Sequence, residues 1–162
     1  MNIFILDFNP VVAAEYLCDK HMKMILETAQ ILCMVSWRYG VGAPYRPVRN
    51  KNHRCVVWAG ESLENYYWTL AHGLAAAAQY RTRYGKIHSS ERVIKWCVDN
   101  GGKPTVKGFT PFALAMPDKY KCSDAVKAYR DFYIGEKTFA KWNFTKKPWW
   151  YKENENGIHN RV

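Results

Sequence analysis

The stretch Met24-Ile25-Leu26-Glu27-Thr28-Ala29-Gln30-Ile31-Leu32-Cys33-Met34-Val35 decides the fold of this chain. Wound as a helix, it is apolar on nearly every side, and only Glu27, Thr28 and Gln30 interrupt it. A helix that is apolar all round belongs in a protein interior. The stretch is too short to cross a bilayer, which takes about 20 residues. We therefore expect it at the centre of a helical fold.

Glu27 is the exceptional residue of this helix, because it places a carboxylate in an apolar stretch. Burying a carboxylate is costly unless something compensates its charge. Desolvated carboxylates are typical of general acid and base catalysts, so Glu27 is a candidate catalytic residue. The alternative is a structural glutamate at the edge of the buried face, paired with a lysine.

The rest of the chain predicts a single, mainly α domain over residues 1–162, with a short extended segment at residues 2–8. Gly, Pro and capping residues place the boundaries of its helices. We expect one long helix from Val11 to Tyr39, a basic loop at 40–54, a second helix from Ser62 to Tyr84, a third at 91–99, a fourth opened by Ser123-Asp124, and an aromatic, basic tail from Lys141.

The composition favours a polyanionic partner. The 162 residues carry 24 Lys and Arg against 14 Asp and Glu, for a formal net charge of +10, and 15% of residues are aromatic. Cations grip phosphates and flat rings stack on exposed bases. We expect double-stranded DNA, damaged or modified, as the partner, with the protein acting as a monomer.

Five scattered cysteines, none in a Cys-x-x-Cys pair, argue against a zinc site and a disulfide framework. They favour a reducing compartment. The start of the chain does not look like a signal peptide. We expect a cytoplasmic protein (host cytoplasm if phage-encoded) without membrane association, cofactor or metal.

Several polar residues of the predicted long helix share one stripe with Glu27. Lys20, Lys23, Glu27 and Gln30 are three or four residues apart, and His21 flanks the stripe. The lysines and Gln30 can contact DNA while Glu27, and His21 with it, acts on a sugar or base. The alternatives are solvated lysines and a packed, hydrogen-bonded histidine.

The loop and the tail supply the remaining candidates for DNA contacts. Loops flanked by Pro and Gly are natural places for binding residues, and adjacent rings can divide between packing and base stacking. The candidates are Arg49, Lys51, Asn52, His53 and Arg54 in the loop, and Lys147, Trp149, Trp150 and Tyr151 in the tail. The alternatives are a solvated loop and a tail that packs on the core.

Three short motifs resemble small phage pyrimidine-dimer DNA glycosylases with AP-lyase activity, of the endonuclease V type. They are Asp19-Lys20-His21 followed by Glu27, Asn52-His53-Arg54, and Pro148-Trp149-Trp150-Tyr151-Lys152. The start also resembles a set of small phage proteins that have no established activity. The resemblance implies a small helical domain in which Glu27 is catalytic and the tail lies close to the lesion.

The resemblance also implies a nucleophilic N-terminal α-amine. In that family the amine belongs to a small second residue exposed when Met is removed, whereas residue 2 here is Asn2, whose bulk favours retention of Met1. Met1 would then supply the amine. An α-amine ordinarily has a pKa of about 7.7–8.0, against about 10.4 for lysine, so more of it is nucleophilic at neutral pH.

Three functions therefore stay open at this point. The first is a DNA N-glycosylase for damaged or modified bases, with AP-lyase activity. The second is a nucleic-acid-binding phage accessory protein without catalysis. The third is an enzyme of nucleotide or modified-base metabolism whose lysines bind a free nucleotide.

Overall fold

The structure, a computed structural model, describes residues 1–152, and within them it is helical, without a strand. The α-helices are α1 (Pro10–Glu15), α2 (Met24–Arg38), α3 (Arg54–Ala59), α4 (Leu63–Tyr84), α5 (Glu91–Asn100) and α6 (Ala125–Glu136). Two 3-10 turns, Asp19–Lys23 and Asp118–Tyr120, precede α2 and α6. The prediction of a mainly α fold is confirmed. The end of the predicted tail, residues 153–162, lies outside the described residues.

Helix α2 occupies the centre of the fold, as its apolar sequence predicts. It packs against α3, α4 and α5, and Ile25, Ala29 and Leu32 are fully buried. Helix α4 approaches it closely at Gly73, where a Cβ atom would lie 2.7 Å from the Thr28 methyl carbon. Only glycine allows this approach, which closes the core between the two longest helices.

The prediction of one helix from Val11 to Tyr39 is wrong. Helix α1 ends at Glu15, and the chain restarts as the 3-10 turn at Asp19. The Arg83 guanidinium donates to the carbonyl oxygens of Glu15 and Leu17, at 3.0 and 2.7 Å, and the Cys18 N–H donates to the Tyr133 hydroxyl at 3.0 Å. These tertiary bonds satisfy backbone groups that a continuous helix would have paired internally.

The segment at residues 2–8 is not a β-strand. Residues 2–6 are buried, and Phe4 adopts a left-handed conformation with φ of 54°. The Leu6 N–H donates to the Phe4 carbonyl at 2.8 Å, which closes a tight turn. The N-terminal segment is therefore bent within the core rather than extended across it.

Helices α4 and α6 follow the sequence closely. Ser62 caps α4 by accepting the Asn65 N–H at 3.2 Å, and α4 ends at Gly85, whose φ of 63° suits glycine. Asp124 caps α6 by accepting the Lys127 N–H at 3.0 Å. Both predicted starts are confirmed.

The regions around α3 and α5 differ more from the prediction. Helix α5 covers 91–100, close to the predicted 91–99, but the Ser90 hydroxyl meets the Tyr45 hydroxyl at 3.1 Å instead of capping the helix. The short helix α3 was not predicted. It begins at Arg54, where we placed the end of the loop.

Candidate active site at the chain N-terminus

The N-terminal amine lies beside the Glu27 carboxylate. The Met1 nitrogen is 3.6 Å from Glu27 Oε2, and the Asn2 N–H donates to the same oxygen at 2.8 Å. The Glu27 side chain is 27% exposed, while the Met1 side chain is only 6% exposed. The carboxylate is thus neither in bulk water nor sealed in the core, and the chain N-terminus compensates its charge.

The conformation of residues 2–4 brings these groups together. The Asn2 side chain accepts the N–H groups of Ile3 and Phe4, at 2.8 and 3.0 Å, and donates to the Ala115 carbonyl at 2.8 Å. The Phe4 ring stacks on His21 with centroids 4.5 Å apart. The Asn2 side chain and the His21 ring thus hold residues 2–4 in place, and the amine at residue 1 has a defined position.

His53 is the third polar group near the amine and the carboxylate. Its Nδ1 accepts the Cys55 N–H at 3.2 Å, which leaves the proton of the neutral ring on Nε2. Burial lowers the pKa of His53, the positive N-terminus lowers it further, and Glu27 opposes both. The ring is therefore neutral at pH 7, and its Nε2–H can donate to a substrate atom.

Cys55 lies close to the amine, Glu27 and His53, but it is not a candidate nucleophile. The thiol is fully buried, and burial raises its pKa to about 12. A thiol with so high a pKa is not a nucleophile at neutral pH. The Met1 amine is therefore the better nucleophile at this place.

The predicted polar stripe is divided by the break before α2. Lys23 is the residue that immediately precedes α2, and Gln30 lies one turn beyond Glu27, half-buried. Lys20 lies on the 3-10 turn, with its ammonium 4.3 Å from the centre of the Phe139 ring. Lys20 and Lys23 line a cleft of about 300 Å³ with Tyr80, Tyr84 and His88.

His21 belongs to the core. It is 5% exposed, its Nδ1 lies 2.6 Å from the Tyr133 hydroxyl, and Phe4 and Phe139 cover its ring. Burial lowers its pKa to about 4, with the charges of nearby lysines adding to the effect. This environment is that of the packed, hydrogen-bonded histidine that the sequence left open, so the catalytic role predicted for His21 gains no support from its surroundings.

Asp19, two residues earlier, also has a structural environment. Its carboxylate pairs with the buried Arg83 guanidinium at 3.2 Å and accepts the Asn143 N–H at 2.7 Å. The Asp19-Lys20-His21 motif therefore links α4 and the tail to the start of α2. Through Phe4, it also supports the N-terminal segment.

The basic loop is anchored to the end of α2. The Arg38 guanidinium donates to the Lys51 carbonyl and, at 3.0 Å, to the Asn52 side-chain oxygen. Arg49, Lys51 and Asn52 are exposed, as is Arg54 at the start of α3. The loop and the start of α3 therefore carry three exposed cationic side chains close to His53 in sequence.

The two tail tryptophans differ in exposure, as adjacent rings were expected to do. Trp149 is 75% exposed, whereas Trp150 is 7% exposed and packs edge-on against Tyr16 and Tyr133. The Arg130 guanidinium lies 5.5 Å from the Trp149 ring centre and 5.3 Å from that of Trp150. Trp149 is thus the ring available for stacking.

The other tail residues divide in the same way. Tyr151 is buried, and its hydroxyl donates to the Lys137 carbonyl at 3.1 Å. Lys147 is exposed and lines a cleft of about 360 Å³ with Glu15, Gln79 and Trp149. The tail therefore contacts α1, α4 and α6, whereas Glu27 and His53 lie on or next to α2 and α3.

Two further features define what the site contains. Within residues 1–152, the structure groups no three His, Cys, Asp or Glu side chains in a way that could hold a metal ion. No helix in that range has both the length and the apolar character needed to cross a membrane.

The side-chain hydrogen bonds of Asn2 were not predicted from the sequence, where Asn2 was considered only for its bulk. Asparagine readily bonds its own neighbouring backbone, and this tendency is the one signal the sequence offered.

A comparison of the chain with protein-family models, curated proteins and solved structures found no match.

Proposed function

We propose that the protein is a DNA N-glycosylase for damaged or modified bases, with AP-lyase activity, and that the Met1 α-amine is its nucleophile. The observation that carries the proposal is the 3.6 Å separation between this amine and the Glu27 carboxylate. A nucleophile and an acid–base group within or near hydrogen-bond reach form the basic arrangement of covalent catalysis.

The reaction uses the groups in this order. The unprotonated amine attacks C1′ of the deoxyribose, a C–N bond forms, and the N-glycosidic bond breaks. The base leaves with the electron pair and takes up a proton from the solvent, while the neutral His53 ring can donate a hydrogen bond to it through Nε2–H. The attached nitrogen then gives up a proton through Glu27 to O4′ as the C1′–O4′ bond breaks. This opens the sugar ring and leaves a cationic imine, which Glu27 stabilises by its charge.

AP-lyase activity follows from the same intermediate. The imine makes the C2′ proton acidic, and Glu27 is placed to accept a proton. Loss of this proton breaks the C3′–O bond, and the 3′ phosphate leaves with the electron pair. Water then hydrolyses the imine and restores the free amine.

The charge and aromatic residues support DNA as the substrate. Lys23 and the loop residues Arg49, Lys51 and Arg54 are exposed, Gln30 is half-buried, and Trp149 offers an exposed ring elsewhere on the surface. Enzymes that act on a base in duplex DNA must take it out of the stack. The exposed cations provide phosphate contacts while this happens.

Borohydride trapping tests the proposal directly. Borohydride reduces the imine to a stable amine, so incubation with duplexes carrying ultraviolet, alkylated, oxidised or naturally modified bases should yield a covalent protein–DNA adduct. Tryptic mass spectrometry should place the adduct on the Met1 nitrogen. Absence of an adduct across all these duplexes, including one with a preformed abasic site, would rule out the imine route.

Two variants and one control sharpen the result. Glu27→Gln should lower the trapping rate at least about 100-fold, within the range for loss of an acid–base group. One glycine added before Met1 should abolish trapping, because it moves the amine one residue, about 3.8 Å, along the chain. Glu64→Gln, at an exposed carboxylate on α4, should trap at the normal rate.

A further inference from the structure

The side chain of Asn2 is buried and makes three hydrogen bonds. It is 8% exposed, and its amide accepts from Ile3 and Phe4 and donates to the Ala115 carbonyl. The backbone N–H of the same residue donates to Glu27. One residue thus connects the turn at the chain start, the segment before α6 and the carboxylate.

We propose that Asn2 is a positioning residue, whose side chain holds the Met1 amine within reach of Glu27. This inference rests on the proposed function, because it explains how that site is assembled. The Asn2 side chain does not touch the reacting atoms, although the backbone N–H of the residue bonds Glu27. It fixes the peptide that connects them to the fold.

The local bonds explain how one side chain can do this. Chain termini are usually poorly ordered unless something ties them down. The two bonds from Ile3 and Phe4 fold the backbone around the Asn2 oxygen, as asparagine does in an Asx turn. They act together with the left-handed φ of Phe4, at which the chain changes direction.

The bond to Ala115 anchors this turn to the rest of the protein. The Ala115 N–H donates to the Tyr129 hydroxyl at 3.2 Å, and that hydroxyl donates to the Ala113 carbonyl at 2.7 Å. Tyr129 is fully buried in α6. The anchor is therefore itself held, and a shift of Asn2 would displace the amine one residue away.

Two variants of Asn2 separate the contributions. Asn2→Leu has a side chain of similar size and removes all three side-chain bonds. Asn2→Asp keeps an acceptor for Ile3 and Phe4 and removes the donor to Ala115. Both residues are bulky, so Met1 should be retained, and intact mass spectrometry checks that it is.

We expect the two variants to change the trapping rate and leave DNA affinity alone. At saturating DNA, Asn2→Leu should trap at least about 100-fold more slowly, because displacement by about 1 Å can have that effect. Its Kd should stay within twofold of the wild-type value. Asn2→Asp should recover about tenfold of that loss, because it keeps the acceptor for Ile3 and Phe4.

A second measurement reads the geometry without the reaction. In a ¹⁵N–¹H correlation spectrum, the Asn2 amide should resonate downfield because it donates to a carboxylate, and Glu27→Gln should move it upfield. Asn2→Leu should lose the same downfield shift, while core amides such as those of α2 keep their positions. Asn2→Asp should retain part of the shift.

The outcomes separate the two proposals. A normal trapping rate in Asn2→Leu overturns the positioning role. If the wild-type protein traps no DNA, the proposed function fails. The amide spectrum then tests by itself whether Asn2 positions the chain start. A downfield residue 2 amide in Asn2→Leu would overturn the inference, and its loss would support it. If Asn2→Leu does not fold, Asn2→Asp is judged by the same two readouts.

Discussion

His72 should make the protein lose stability in mild acid, and His72→Phe should remove most of this effect. His72 is 1% exposed and stacks on Trp68 with ring centroids 5.2 Å apart. Neither of its ring nitrogens has a hydrogen-bond partner among residues 1–152. Burial lowers its pKa from 6.5 to about 4. The folded protein therefore holds this ring neutral at pH values where the unfolded chain protonates it.

The sign and size of the effect follow from linkage. Because the pKa is lower in the folded state than in the unfolded state, the contribution to stability is complete above pH 6.5. It falls as the pH drops from 6.5 toward 4, since the unfolded chain then binds the extra proton. At pH 4.5 the loss amounts to about 2.5 kcal/mol, roughly 1.36 kcal/mol for each pH unit below 6.5. This is a large part of the 5–15 kcal/mol that stabilises a typical domain.

Urea unfolding at pH 7 and at pH 4.5 measures this contribution. His72→Phe keeps an aromatic ring against Trp68 and removes two unpaired nitrogens, so its stability at pH 7 should equal or exceed that of wild type. Its loss on going to pH 4.5 should be about 2.5 kcal/mol smaller. His88→Asn, at a half-buried histidine whose pKa burial also lowers, is the comparison variant and should recover less of the acid loss than His72→Phe, because its ring is less buried. Equal acid losses in wild type and His72→Phe would refute the reasoning.

Three further predictions concern other parts of the fold. Asp19→Ala should lower the free energy of unfolding by about 3–5 kcal/mol, measured by urea unfolding, because it leaves the buried Arg83 without its charge partner. In native protein a thiol reagent should label one cysteine rapidly, and Cys122→Ser should abolish the signal, because the other four cysteines are buried. Trp149→Ala should weaken DNA binding by about 1–3 kcal/mol with little change in stability, whereas Trp150→Ala should lower stability by about 3–5 kcal/mol, as measured by titration and urea unfolding.

The sequence predicted the helices whose signals are local. The apolar run of α2, the Ser62 cap and Gly85 end of α4, and the Asp124 cap of α6 all lie within a few residues of the elements they define. Each signal acts through the backbone next to it, so it needs no knowledge of the tertiary fold. For this reason the helical class and the starts of α4 and α6 were predictable.

The break between α1 and α2 was not predictable, because its cause lies far along the chain. Arg83 and Tyr133 supply the hydrogen bonds at the end of α1. Arg83 lies 66 residues from Leu17, which it bonds, and Tyr133 lies 115 residues from Cys18. The local sequence around Tyr16 contains no glycine or proline. The spacing of the apolar residues therefore predicted a helix that runs on past Glu15, where tertiary hydrogen bonds end it.

The candidate site shows the same division between local and distant information. The sequence indicated that Glu27 needs a compensating partner, and it offered lysines on neighbouring turns as the obvious choice. The described structure pairs Glu27 with the N–H groups of Met1 and Asn2, 26 and 25 residues away in sequence. Because the chain start compensates the carboxylate, Lys23 remains exposed and does not have to serve that role. The amine pairs with the carboxylate, and exposed cations near it stay unused by this pair. A polyanion can therefore bind these cations while the carboxylate keeps its partner. This is the physical reason to look for DNA chemistry at this site.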